Sequence, residues 1–226
     1  MRRHGERSLI LTVLTQGHGK VVGFVKNCLT KKNLSTYQLG NLVELEAWAR
    51  VDENMLLLKV ELLAPTAVNF IADGRKLQVL SSLCSLCNTC MPELQAPDSL
   101  YQHIERFFNL IDEDNWLASY CYFEFYLLDF LGVGLDLSEC AVTGATNNLA
   151  YVSPKTGRAV CAEAGEPYKE RLYKFPQFIL SRNYAPSPQE IRNLLDLTGF
   201  FLYKNFFAVH GLKFPECRDS LASIVI

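Results

Sequence analysis

The chain has 226 residues, 49% of them hydrophobic, and its formal net charge is −2 at pH 7. This content is enough to fill the core of one large domain or two small ones, which excludes a disordered chain. No stretch approaches the roughly 18 to 20 uncharged apolar residues of a membrane span, and no secretion signal accompanies the eight irregularly spaced cysteines. We therefore predict a cytoplasmic protein with reduced thiols and no membrane contact.

The first 65 residues carry the pattern of β-strands. Apolar runs at residues 9–14 and 21–25 flank a turn-rich segment at residues 16–19, which predicts a hairpin. Farther along, residues 43–47 and 56–62 place apolar side chains at every second position, as strands with one face on a core do. Several short strands joined by turns predict a small β-barrel or sandwich.

Positive charge is concentrated at this end of the chain. Residues 1–32 contain seven of the 22 lysines and arginines but only one of the 24 acidic residues. A basic region on an otherwise acidic protein is typical of a surface that binds a polyanion such as nucleic acid, although an ordinary solvated surface gives the same composition. His4 and His18 lie in this region and are either phosphate contacts or exposed turn residues. The seven basic residues are Arg2, Arg3, Arg7, Lys20, Lys26, Lys31 and Lys32.

The remainder of the chain is predicted to be mainly helical. Apolar and aromatic side chains follow the helical i, i+3, i+4 spacing from residue 104 to residue 131. Residues 132–185 are rich in Gly, Pro, Thr and Asn and are predicted to be irregular. Ser187 and Glu190 then form a capping box, with proline at the first helical position, so a helix begins there. Its buried face is predicted to carry Ile191, Leu194, Leu195, Thr198 and Leu202.

Three cysteines, Cys84, Cys87 and Cys90, are spaced as ligands of zinc or of an iron–sulfur cluster can be. The preceding residues look helical, and on a helix these cysteines are also typical of small buried hydrophobic residues. A metalloenzyme that uses them with His103 is the weakest interpretation, because no general base or substrate motif accompanies them. No nucleophile, phosphate-loop or dinucleotide motif is present either, so we predict that the protein is not an enzyme.

Several segments resemble the RecO family of recombination proteins. The most specific part is Leu-Gly-x-Gly-Leu-Asp-Leu at residues 131–137, followed by Ser-Pro-Lys-x-Gly at residues 153–157. The resemblance runs nearly from end to end. The matching segments are residues 2–8, 15–20, 128–144, 152–160 and 163–168.

The resemblance implies an α+β fold in two domains. Residues 1–65 would form an oligonucleotide-binding (OB) β-barrel that binds DNA, and residues 66–226 a mainly α-helical domain. A small insertion at about residues 136–170 would be a degenerate zinc ribbon. The phosphate contacts would be the seven basic residues named above, with Arg50 as a weaker candidate on a later strand.

The sequence departs from the family pattern at two places. Family members carry an additional strand before the position that matches Arg2, and without it the barrel would have an open edge. In the insertion, Cys140 and Cys161 occupy the outer positions of a four-cysteine zinc site, but Thr143 and Ala164 stand at the other two. Two thiolates do not complete a tetrahedral site, so we expect no zinc and no other cofactor.

The function implied by the resemblance is that of a recombination mediator in DNA repair. Such a protein binds single- and double-stranded DNA, anneals complementary strands and helps to load RecA onto DNA coated by the single-stranded-DNA-binding protein, in the RecF/RecR pathway. Its partners would be RecR and the C-terminal tail of the single-stranded-DNA-binding protein, at the bacterial nucleoid. The alternative is a protein-interaction adaptor with little DNA affinity of its own.

Overall fold

The computed structural model describes residues 1–30, 33–49, 55–95, 98–175, 177–179 and 185–225. The chain is mixed α+β and forms two compact units, residues 1–101 and 102–226. The first unit holds the N-terminal sheet, and the second is mainly helical. The domain boundary predicted from the sequence lies at residue 65, whereas the first compact unit also includes the two helices that follow the sheet.

The sheet of the first unit has five strands in the order β1-β2-β3-β5-β4. Neighbouring strands are antiparallel, except that β3 and β5 pair in parallel. The predicted hairpin is present, and all four predicted apolar segments form strands. The strands are β1 (Arg2–His4), β2 (Ser8–Thr15), β3 (Gly19–Val25), β4 (Leu42–Trp48) and β5 (Leu56–Ala64).

Alternate side chains of β2 and β3 form the core of this unit. Leu9 and Leu11 of β2 are buried with Val21 and Val25 of β3, because every second side chain points to the same face. Gly23 permits β3 to approach β5 closely, since a Cβ atom there would lie 2.6 Å from a side-chain carbon of Leu58. A larger residue at position 23 would therefore force these two strands apart.

The sheet is not a closed barrel, so that part of the fold prediction is corrected. β1 pairs only with β2, and β4 pairs only with β5, which leaves both at the ends of the strand order in the described residues. The physical reason is the length of β1. Its three residues provide too few backbone groups to pair with β2 on one side and β4 on the other.

Two helices complete the first unit, α1 (Val68–Ile71) and α2 (Gly74–Cys90). The last turns of α2 contact the sheet, where Asn88 bonds to a side chain of β2 and to one of β3. Cys87 and Cys90 of α2 are buried, and burial raises the pKa of the Cys87 thiol. This environment favours the interpretation of these cysteines as small hydrophobic residues.

The second unit is centred on two helices that pack together, α4 and α6. The predicted capping box is confirmed at the start of α6, where Ser187 and Glu190 bond each other's main-chain N–H groups. Every residue of its predicted buried face is buried. No helix in the described residues is long and apolar enough to cross a membrane. The helices are α3 (Asp98–Asn109), α4 (Trp116–Phe130), α5 (Ala162–Gly165), α6 (Pro188–Leu202) and α7 (Glu216–Asp219).

A buried ion pair joins α4 to α6 and α7. The Arg218 guanidinium of α7 donates to the Glu124 carboxylate of α4 over 2.8 Å, and both residues are almost inaccessible to solvent. The hydroxyl of Thr198 donates to the same carboxylate over 2.5 Å, and the hydroxyl of Tyr120 also donates to it. Gly199 leaves room for the guanidinium, which lies 3.0 Å from the place a Cβ atom would take.

Residues 132–185 contain a small sheet that the sequence did not predict. Its strands, β6 (Leu149–Val152), β7 (Ala159–Cys161) and β8 (Tyr173–Lys174), are antiparallel in the order β7-β6-β8. Cys140 and Cys161 share the small core beside this sheet. A zinc ribbon is not shown, because the described residues contain no cluster of three or more possible metal ligands.

Candidate nucleic-acid interface

The first basic residues lie on the short edge strand β1. Arg2 and Arg3 are both exposed, opposite Ile10 and Leu9 of β2, so their side chains project from opposite faces of the sheet. His4 is exposed as well, and its ring meets that of Phe24 edge-on, with centroids 5.2 Å apart. An aromatic pair beside two arginines provides both a stacking surface and positive charge.

Arg7 and Lys26 lie at the same end of the sheet as β1. The main-chain oxygen of Arg7 accepts a hydrogen bond from Leu29 over 3.0 Å, and the Ser8 hydroxyl accepts one from Asn27 over 3.2 Å. These bonds bring the turn after β1 beside the segment that follows β3. Among the described residues, none forms an ion pair with Arg2, Arg3, Arg7 or Lys26, so these four charges, here called the basic end, face solvent.

Lys20 occupies a different environment. It lies near the start of β3, six residues before Lys26, a distance of about 20 Å along an extended strand. Its ammonium group donates to the main-chain oxygen of Asn88 over 2.8 Å, which holds the side chain against α2. Its role in DNA contact stays a prediction. Lys31, Lys32 and Arg50 lie outside the described residues.

The opposite edge of the sheet is acidic. Glu46 and Glu61 each form an ion pair with Lys59, at 2.8 and 3.0 Å, on the exposed face of β4 and β5. Hydrogen bonds to Glu46 and then to Glu61 raise the pKa of the Lys59 ammonium. Glu44 lies directly opposite Glu61 on this face. The basic end and the β4 edge of the sheet therefore carry charges of opposite sign.

The second unit contains a pocket that the sequence did not predict. His103 and Arg106 of α3 lie at one side of it, and Tyr122 and Phe178 at another, where the Tyr122 hydroxyl donates to the Phe178 main-chain oxygen over 2.6 Å. The ring of His103 stacks on that of Tyr126, with the ring centroids 3.8 Å apart. The sequence indicates this pocket only in that residues 103, 106 and 110 are spaced to lie on one face of a helix. The pocket lining comprises His103, Arg106, Leu110, Asn115, Ala118, Ser119, Tyr122, Phe178 and Pro186.

Cys140 and Cys161 are brought together beside the three-stranded sheet. The main-chain N–H of Cys161 donates to the Cys140 sulfur over 3.2 Å, and the Thr143 hydroxyl lies 3.7 Å from the Cys161 sulfur. Burial opposes ionisation of Cys140, but a hydrogen bond from Thr143 and bonds from main-chain N–H groups outweigh it. Together they lower the pKa of the Cys140 thiol to about 6.

Comparison with known proteins adds a second line of evidence. Residues 1–66 match the family model described as the N terminal of recombination protein O, and residues 71–205 match the model for its C terminal. The DNA repair protein RecO of Bartonella quintana (strain Toulouse) is 41% identical over 225 residues, which cover 99% of this chain and 92% of that protein. The protein of the same name from Wolbachia pipientis wMel is 37% identical over 232 residues, covering 99% and 95%. The chain therefore belongs to the RecO family of DNA repair proteins.

Proposed function

We propose that this protein is a recombination mediator that binds DNA through the basic end of its first unit. The observation that carries the proposal is the set of four exposed cations at one end of the sheet, none of them paired with a described acidic residue. Neutralising phosphate with such cations releases counterions, which drives binding to any sequence. The family membership supports the same role, since the relatives are named DNA repair proteins.

The proposed activity requires no covalent step. Binding two strands on one basic surface reduces their mutual repulsion, which is what annealing of complementary strands needs. Release of strands from the single-stranded-DNA-binding protein, so that RecA can load, would follow from contacts with that protein and with RecR. A protein with this role works at the bacterial nucleoid, without a metal or other cofactor.

The pocket of the second unit is the proposed site for the C-terminal tail of the single-stranded-DNA-binding protein. That tail is acidic and apolar, so it requires a hydrophobic cavity with a cation beside it. Leu110 and Phe178 supply apolar walls, and Arg106, which forms no ion pair within the described part of the chain, supplies the cation. Arginine also suits a carboxylate because it can donate two parallel hydrogen bonds.

The experiment that tests the basic end compares two variants with equal loss of charge. The first variant changes Arg2, Arg3 and Arg7 to Gln. The control variant changes three basic residues of the second unit to Gln, namely Lys155, Arg171 and Lys174. Binding of a labelled single strand is measured across a salt series. The first variant should reduce the slope of log affinity against log salt by about 2, since each phosphate contact contributes about 0.7. Equal slopes in both variants would contradict the assignment.

The loop after β3 has its own test. Lys26, Lys31 and Lys32 are changed together to Gln, and the salt dependence of DNA binding is measured in the same way. We expect a modest loss of affinity and a shallower slope, because phosphate contacts add nearly independently. An unchanged slope would remove this loop from the interface.

The acidic β4 edge favours a second candidate function. With Glu44, Glu46 and Glu61 on one exposed face and a net charge of −2, the protein would also suit an adaptor that binds other proteins and has little DNA affinity. The two functions are distinguished by oligonucleotide binding at low and high salt. An adaptor would bind RecR and the tail of the single-stranded-DNA-binding protein while leaving the oligonucleotide free at low salt.

A further inference from the structure

We propose that Cys140 and Cys161 form an oxidisable thiol pair, in which hydrogen peroxide reacts with Cys140 and Cys161 then closes a disulfide. This modification site is independent of the DNA-binding role proposed above.

The Cys140 sulfur accepts a hydrogen bond from the Cys161 main-chain N–H over 3.2 Å. Burial raises the pKa of the Cys140 thiol, but hydrogen bonds from Thr143 and from main-chain N–H groups outweigh burial and lower it. A donor this close to the sulfur stabilises its negative charge. Cys140 is therefore held as a thiolate, which is the nucleophilic form.

The two cysteines are close enough to be bridged. A main-chain N–H that reaches the partner's sulfur over 3.2 Å limits the separation of the two Cα atoms to at most about 7.5 Å, and a bend at the nitrogen or the sulfur shortens it toward the usual disulfide range of about 4.4–6.8 Å. The Thr143 hydroxyl lies 3.7 Å from the Cys161 sulfur, and a hydrogen bond from the same side chain lowers the pKa of the Cys140 thiol. Both are free thiols in the structure.

Only a thin layer covers the pair. Cys140 and Cys161 are 1% and 5% exposed, but every residue from 141 to 144 is exposed, and Val142 is 70% exposed. A small displacement of this loop would admit a molecule as small as peroxide. Cys87 and Cys121 differ, because burial in the interior raises the pKa of each thiol well above its ordinary value.

The chemistry balances with peroxide as the oxidant. The Cys140 thiolate attacks one peroxide oxygen, the S–O bond forms as the O–O bond breaks, and the departing hydroxide is protonated to water. Cys161 then loses its proton and attacks the sulfenic sulfur of Cys140. The S–S bond forms, and the second hydroxide leaves as water. Two thiols and one peroxide give one disulfide and two water molecules, and an external thiol reverses the reaction.

Peptide mapping tests whether the disulfide forms. The full-length protein is exposed to peroxide and unfolded, and its remaining thiols are alkylated. It is then digested, without reduction, by a protease that cleaves after glutamate. Cleavage after Glu139 and Glu163 isolates residues 140–163, which contain Cys140 and Cys161 and no other cysteine. We expect this peptide to be lighter by two hydrogens and to escape alkylation. Cys87 and Cys121 should be alkylated in full.

Three variants keep the proposal falsifiable. Cys161→Ser should leave a sulfenic acid on Cys140 that dimedone traps. Cys140→Ser should abolish both the sulfenic acid and the disulfide. Thr143→Val should slow oxidation of Cys140 several-fold. Unchanged circular dichroism shows that each variant is folded. The proposal is overturned if Cys140 stays reduced for as long as Cys87 and Cys121 do, if it bonds to another cysteine, or if Thr143→Val oxidises at the unaltered rate.

Discussion

At the scale of single residues, the second unit depends on a charge placed where water is absent. Glu124 is fully buried, and its carboxylate accepts hydrogen bonds from Arg218, Thr198 and Tyr120. Removing a charge from water carries a large free-energy penalty, which only a full set of partners offsets. The ion pair and its hydrogen bonds therefore tie α4 to α6 and α7.

Removing one partner of this pair should destabilise the protein strongly. We predict that Arg218→Met lowers the free energy of unfolding by about 3–5 kcal/mol, because the Glu124 carboxylate remains buried without its counterion. The double variant Glu124→Leu/Arg218→Met should recover most of that loss. Urea unfolding followed by circular dichroism measures both, and Lys213→Met, which breaks the exposed ion pair to Glu216, is the control. If the losses of stability caused by Glu124→Leu alone and by Arg218→Met alone add up to the loss in the double variant, this account is contradicted.

The cysteines should differ in how their reactivity depends on pH. The lowered pKa of Cys140, about 6, means that its thiolate fraction rises as pH increases through 6 and is nearly complete at pH 7.5. Its alkylation rate should therefore level off near neutral pH, whereas an ordinary thiol, with a pKa of about 8.5, continues to accelerate beyond pH 8. Rapid quenching and mapping of the peptide of residues 140–163 gives the profile. A rate that still climbs steeply above pH 8 would show that the hydrogen bonds do not hold the thiolate.

At the scale of elements, the long periodic segments were predictable and the short ones were not. Strands β2 to β5 and helices α4 and α6 follow from apolar periodicity, and the capping box at Ser187 marks the start of α6. Strands β6 to β8 have two to four residues each, too few for alternation to show. β1 was missed because all three of its residues are polar and exposed.

The candidate sites show the same limit. The basic residues near the N-terminus could be named from composition alone, but the bond from Lys20 to Asn88 joins residues 68 positions apart and leaves no local pattern. The pocket of the second unit combines side chains of α3 and α4 with Phe178 and Pro186, so periodicity within any one segment could not reveal it. Long-range contacts of this kind are decided by packing.

The pocket provides a prediction at this scale. Arg106→Glu should weaken binding of a peptide from the acidic tail of the single-stranded-DNA-binding protein at least tenfold, because it replaces an attraction with a repulsion beside an apolar cavity. Arg171→Glu is the matched control, since it makes the same charge change at an exposed position of the same unit. Calorimetric titration with both variants measures the difference. Equal losses would place the tail elsewhere.

At the scale of the whole molecule, the near-neutral total charge conceals an uneven distribution. The first unit carries a basic end at β1 and an acidic face at β4 and β5, so the net charge of −2 says little about its partners. A local positive surface is sufficient to bind a polyanion even when the rest of the protein is acidic. The function of the chain therefore depends on where its charges lie rather than on their sum.

The most direct test of the proposed mediator role is fluorescence anisotropy of a labelled single-stranded oligonucleotide, titrated with the full-length protein at low and at high salt. We predict binding at low salt that weakens steeply as salt increases, because phosphate contacts at the basic end supply the affinity. Absence of binding at low salt, or an affinity that salt leaves unchanged, would contradict the account and favour the adaptor.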